Sequence, residues 1–166
     1  CAATFVQGFG RRAYRRPLAV GETERLLGVY GAVRPASDFP TAIAAVLRTI
    51  LQAPQFLYRV ELGAPVPERP SLLKLDHFEV ASRLSYLLWG SMPDEALLSV
   101  AAEQRLGTKA EVMAEATRML ADPKARELTA YFHELAFKTG GIRSLTKDAA
   151  TFPSWAPGLG GLLAQE

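Results

Sequence analysis

Apolar residues recur along this chain at spacings of three and four, the period of helices that bury one face. Residues 2–14 place Phe5, Val6, Phe9 and Ala13 on one side, and Pro17 closes the segment. Residues 20–33 carry Leu26, Leu27 and Tyr30 as their stripe, and residues 40–53, opened by a Ser37 or Asp38 cap, carry Ile43, Val46, Leu47, Ile50 and Leu51. Pro54 interrupts this third helix, and "QFLYRVELG" continues as a short helical or extended piece. A fourth helix is announced by Asp76 and Glu79, whose spacing is that of a capping box, and its apolar face holds Phe78, Ala81, Leu84, Leu87 and Leu88. A fifth runs through Glu103. Thr108 and Glu111 repeat the capping-box spacing before a sixth that reaches Ala121. Asp122 caps a seventh with Pro123 at its first position, and "TGG" stops it after Lys138. A short helix is expected over 158–164. No alternating pattern bounded by hairpin turns stands out, so the pattern predicts an all-α fold: a compact bundle of about six to eight helices with short loops and an irregular C-terminal segment.

The stretch "APVPERPS" holds three prolines in eight residues and predicts a linker over 64–74. It separates an N-terminal module, 1–63, from a second, 75–166, which is expected to be cut short at its C-terminal end. With 166 residues, 49% of them hydrophobic, the chain can bury a real core. A formal net charge of +2 is too weak for a general nucleic-acid binder, and no row of aromatics accompanies the basic residues. The single cysteine excludes a disulfide framework within the chain, and with only His77 and His133 beside it there is no zinc-ligand spacing, so no metal is expected. No run of about 18 apolar residues, the length of a membrane span, occurs.

Candidate chemistry is sparse. Arg11, Arg12, Arg15 and Arg16 form two i, i+4 pairs at a helix end and can hold an anion or an acidic partner; alternatively they pair with neighbouring acids and favour the negative helix terminus. His133 and Glu134 are adjacent on a helix and do not face each other, which weakens them as a proton-transfer dyad. "PGLGGLL" lacks the preceding strand and the following Lys-Ser/Thr of a phosphate loop. No catalytic residue is assigned.

"SRLSYLLWGSMPDE", residues 82–95, reads as a corner. Gly90 suits the left-handed end of the fourth helix, Ser91 is expected to cap the fifth, and Asp94 stands three residues on in the capping-box position. On that reading the Ser91 side chain is worth roughly 0.5–2 kcal/mol.

Two stretches go further. "FGRRAYRRPLAVGETERLLGVY" with "ILQAPQFLYRVELG", then "EVASRLSYLLWGSMPDEALLSVAAEQRLGTKAEVMAEATRMLADPKARE", resemble two consecutive uncharacterised modules of large planctomycete and myxobacterial cytochrome-c-like proteins, over nearly the whole chain. The resemblance implies an exported bacterial protein, in the periplasm or at the cell envelope. Further modules follow there, one with a Cys-x-x-Cys-His haem-attachment motif that this chain lacks. It therefore implies no cofactor here but haem c elsewhere in the parent, with other domains of that parent or a multi-subunit assembly as partners. Cys1 stands where such modules commonly have a cysteine, which implies a disulfide to another part of the parent. Ala19 replaces a usual threonine and removes a side-chain cap from the second helix. The expected function is a noncatalytic helical scaffold or docking module of an electron-transfer protein. The alternatives are part of the substrate cleft of an extracellular oxidoreductase, and an anion- or carbohydrate-binding module built on the arginines.

Overall fold

In the computed structural model, which describes residues 1–156 and 158–163, the apolar stripes become the inner faces of helices. The first three, α1 (Ala2–Tyr14), α2 (Val20–Val33) and α3 (Phe39–Gln52), pack on one another around Val6, Ala13, Tyr14, Leu26, Val46 and Ile50. Gly10 lets the Leu18 side chain, from the loop after α1, lie against that helix, because a Cβ there would stand 2.5 Å from it. Asp38, not Ser37, caps α3 by accepting the Thr41 N–H at 2.9 Å. At α2, Ala19 offers no side-chain oxygen, and only the reverse half of the capping box forms: Glu22 accepts the Ala19 N–H at 2.8 Å.

Pro54 opens a single turn, α4 (Pro54–Leu57), after which the chain is extended. The proline-rich stretch predicted as a linker is a hairpin, so the fold is predominantly helical but not all-α. Strands β1 (Ala64–Val66) and β2 (Arg69–Lys74) pair antiparallel, with Ala64 opposite Lys74 and a bulge between Pro65 and Val66. Each strand of a two-stranded ribbon has one open edge, where a proline's missing N–H costs no ladder bond. Pro65 and Pro70 stand in the strands and Pro67 in the turn between them, so the three prolines are compatible with the hairpin.

Helices α5 (His77–Trp89), α6 (Glu95–Ala102) and α7 (Lys109–Leu120) follow. Ala81, Leu84, Trp89, Leu97, Leu98, Ala101, Leu106 and Met119 are buried along them, whereas Leu87, placed on the apolar face by its spacing, is 70% exposed. The buried Trp89 indole donates to the Met119 carbonyl at 2.9 Å, so its polar edge is satisfied inside the core. Gly90 ends α5 at φ 63°, as its position suggests.

The cap of α6 corrects the sequence reading. Asp94 is the N-cap and accepts the Leu97 N–H at 2.8 Å, while the helix begins at Glu95, so Ser91 caps nothing. The reason is Pro93, which is fully buried and stands before the cap. It holds Met92 out of helical conformation, and the first residue able to cap is Asp94.

By contacts the chain divides into two compact units, Cys1–Met119 and Leu120–Glu166. The first includes helices from both sides of the hairpin. The second holds α8 (Pro123–Phe137), capped by Asp122 through the Lys124 N–H at 2.9 Å. It also holds the 3₁₀ turn Thr139–Ser144 and α9 (Leu159–Leu163), both packed with one another. The predicted terminal helix extended to Ala164, which lies outside the described residues, as do Pro157 of the glycine string and the last two residues.

Asp94 also accepts two hydrogen bonds from Arg118, at 2.9 and 3.2 Å. Asp94→Ala should therefore cost about 1–2 kcal/mol in a urea melt at neutral pH. Ser91→Ala should stay within about 0.5 kcal/mol of the parent.

Candidate functional site

The four arginines of α1's end do not form one cluster. Arg15 follows α1 in the left-handed conformation, φ 59°, and its side chain is 6% exposed. Its guanidinium donates to the carbonyls of Gln55 at 2.6 Å and Tyr58 at 2.8 Å, and more weakly to those of Ala13 and Phe56 at 3.2 and 3.4 Å. Arg16 grips Glu22 through two bonds of 2.8 and 2.9 Å. Arg11 reaches Glu95, at the first position of α6, at 2.6 Å. Arg12 is exposed and pairs with no acid among the described residues.

Glu79 is the matching acidic centre. Its own N–H donates to Asp76 while its carboxylate accepts the Asp76 N–H at 2.8 Å, the capping box of α5. The same carboxylate accepts the amides of Leu62 at 2.6 Å and Gly63 at 3.2 Å. Burial is the largest influence on Glu79 and raises its pKa, but the three backbone amides together more than reverse it and leave the pKa below its ordinary value. Glu22 is also lowered, first by its hydrogen bond from Arg16. Thr108 and Glu111 form the expected box at α7, with Glu111 accepting the Thr108 N–H at 2.9 Å.

Between the end of α1, the extended run 58–63 and the start of α5 lies a cavity of about 880 Å³. Arg15, Arg16, Arg59, Lys74 and Arg83 line it, with Glu61, Asp76 and Glu79 as its acids. Arg83 is held by Glu61 through bonds of 3.0 and 2.6 Å. Tyr14 also lines it, and its phenol is pushed up, first by burial and then by Glu22, so it stays protonated at neutral pH. The sequence reading pointed to Arg15 and Arg16 but missed Arg59 and Lys74. Arg59 sits within "PQFLYRVELG", one of the stretches that carry the resemblance, and that was the available signal.

The histidines are occupied structurally. His77 Nδ1 accepts the Leu106 N–H at 3.0 Å, which places the proton of the neutral ring on Nε2. His133, in the second unit, donates from Nδ1 to the Thr129 carbonyl at 2.8 Å and stacks on Phe137. Cys1 is exposed and forms no disulfide within the chain, of which it is the single cysteine. Among the described residues no three acidic, histidine or cysteine side chains gather as a metal site, and no helix is long and apolar enough to cross a membrane.

Two family models match the chain: residues 75–166 match the one described as PSD4, protein of unknown function (DUF1592), and residues 1–61 the one described as PSD5, protein of unknown function (DUF1595). No curated protein and no solved structure matches it.

Arg15→Gln should lose about 1–3 kcal/mol in chemical denaturation, because half-buried carbonyls lose a charged donor, whereas Arg12→Gln should change stability little. Glu79 and Glu22 titrate lower folded than unfolded. Their contribution is thus complete above the ordinary glutamate value of 4.5 and disappears as pH falls through the depressed folded values. Glu79→Gln should accordingly flatten the acid limb of a plot of melting temperature against pH.

Proposed function

The chain belongs to the PSD4 family, proteins of unknown function, and from that premise we propose that it is a noncatalytic helical scaffold or docking module of a larger exported cytochrome-c-like electron-transfer protein. One observation carries the noncatalytic part. The side chains with chemical potential serve as internal braces: Arg15 on backbone carbonyls, Arg16 on Glu22, Arg11 on Glu95, Arg118 on Asp94 and Glu79 on three amides. A catalytic acid or base needs a partner geometry aimed at a substrate rather than at the chain's own amides.

The electron-transfer context rests on the sequence resemblance, supported by the order of the two family matches. Haem c attachment takes paired cysteines and an axial ligand, and with Cys1 as its sole cysteine this chain does not fit the group. The haem belongs to another part of the parent. The cavity beside α5 favours a second role for the module, ligand binding.

Visible spectra of the purified parent, with and without reductant, test the proposal. A haem band is expected, and it should persist when the segment corresponding to residues 1–166 is deleted, while electron transfer to or within the assembly slows. A parent without a haem band removes the electron-transfer context; a deletion that leaves transfer and assembly untouched removes the scaffold role.

A further inference from the structure

Hydrogen-bond satisfaction and charge compensation are separate requirements for a buried ion, and Arg15 meets only the first. The residue is 6% exposed, its side-chain partners are neutral carbonyls, and no carboxylate pairs with it among the described residues. Buried charges are ordinarily paired, because desolvation makes a lone one costly. The other cavity arginines differ: Arg16 is neutralised by Glu22 and Arg83 by Glu61. Asp76 and Glu79 have oxygens turned to backbone amides.

Two further cations line the same cavity, Arg59 and Lys74, and their side chains make no hydrogen bond or ion pair among the described residues. Arg59 is already oriented, with its guanidinium 4.6 Å from the centre of the Tyr86 ring, and Arg15 lies 5.9 Å from that ring. A guanidinium held over an aromatic face keeps its in-plane N–H groups for a planar, two-oxygen acceptor. The remaining wall is largely apolar, formed by Tyr14, Pro54, Val60, Leu62, Leu75 and Phe78. The cavity's volume of about 880 Å³ lies within the roughly 300–1,000 Å³ of small-molecule sites.

We propose that this cavity binds an organic carboxylate with an apolar body, its headgroup held by Arg59 and Lys74 where the cations of the lining outnumber Glu61, Asp76 and Glu79, and its body against the Tyr14–Phe78 wall. A free small acid and the C-terminal carboxylate of a partner chain share this chemistry. The binding role does not depend on the scaffold reading, and neither stands or falls with the other.

The 166-residue chain, followed by amide NMR at constant ionic strength, supplies the test. Sodium hexanoate and sodium benzoate should produce saturable shifts at Gly63 and Tyr86, and hexanamide at equal concentration should not. Arg59→Gln should weaken hexanoate about tenfold or more, and Lys74→Gln several-fold, because each removes a charge-assisted bond. Arg12→Gln should leave it unchanged. A short peptide with a free carboxylate, compared with its amidated twin, distinguishes the sources: tighter binding than hexanoate assigns a partner's chain end, weaker binding a free acid. Absence of saturation up to about 50 mM, equal shifts from hexanamide, tighter binding of inorganic phosphate, or undiminished binding in both variants would each overturn the proposal. Should Arg59→Gln disturb the fold, seen as shifts throughout the spectrum, the hairpin variant Lys74→Gln decides alone.

Discussion

The guanidinium of Arg15 fixes how the first half of the chain is assembled. A non-glycine residue in left-handed conformation costs roughly 1–2 kcal/mol, and the helix end at Arg15 accepts that cost. In return the side chain enters the interior and gathers the carbonyls of Gln55 and Tyr58. These carbonyls belong to the turn of α4 and its exit, which no helix ladder would otherwise satisfy. Gathering them sets the direction in which the chain leaves α4. Lysine cannot substitute, since three donors on a point charge do not span four carbonyls set in a fork.

From there the constraint is passed on. The extended run leaving Tyr58 brings the Leu62 and Gly63 amides to the Glu79 carboxylate, which is already engaged at the start of α5. A single acid therefore closes one helix end and anchors a strand entrance 17 residues away in sequence. At the far end of α5, Gly90, the buried Pro93 and the Asp94 cap turn the chain into α6. Arg118 on α7 braces that turn through Asp94, and it lies 5.7 Å from the Trp89 ring centre. The Arg11–Glu95 pair adds a tie from α1 to α6, but both side chains are substantially exposed, and such pairs contribute at most about 1 kcal/mol. The buried groups, rather than the surface pairs, determine the arrangement.

What the sequence disclosed follows from how local each signal is. The helices and the caps Asp76, Thr108 and Asp122 depend on residues within one turn, so spacing was enough to find them. Ser91 failed as a cap because Pro93 keeps Met92 out of helical conformation, a local rule that outweighed the capping-box spacing and leaves Asp94 as the cap. The hairpin was hidden because prolines on open strand edges look the same as prolines in a linker. The candidate site was the least visible part. Its residues come from α1, from the run after α4, from β2 and from α5, and only the fold brings them together. Of the two readings offered for Arg11 to Arg16, pairing with neighbouring acids describes Arg11 and Arg16, and periodicity could not reveal that Arg15 would instead turn to the carbonyls after α4.

The cavity and the scaffold share one residue in two capacities. As a donor, Arg15 holds the α4 exit in place; as a charge, it leaves the cavity positive, because carbonyl dipoles solvate a cation without cancelling it. Replacing it would remove both at once and would not say which mattered. Arg59 and Lys74 are different. They are exposed, their side chains hold no other group by hydrogen bond among the described residues, and they line the same cavity. Apart from the Arg59 guanidinium over the Tyr86 ring, their charges engage no other group by hydrogen bond or ion pair among the described residues, so substituting them tests the proposed binding with less disturbance of the fold than substituting Arg15.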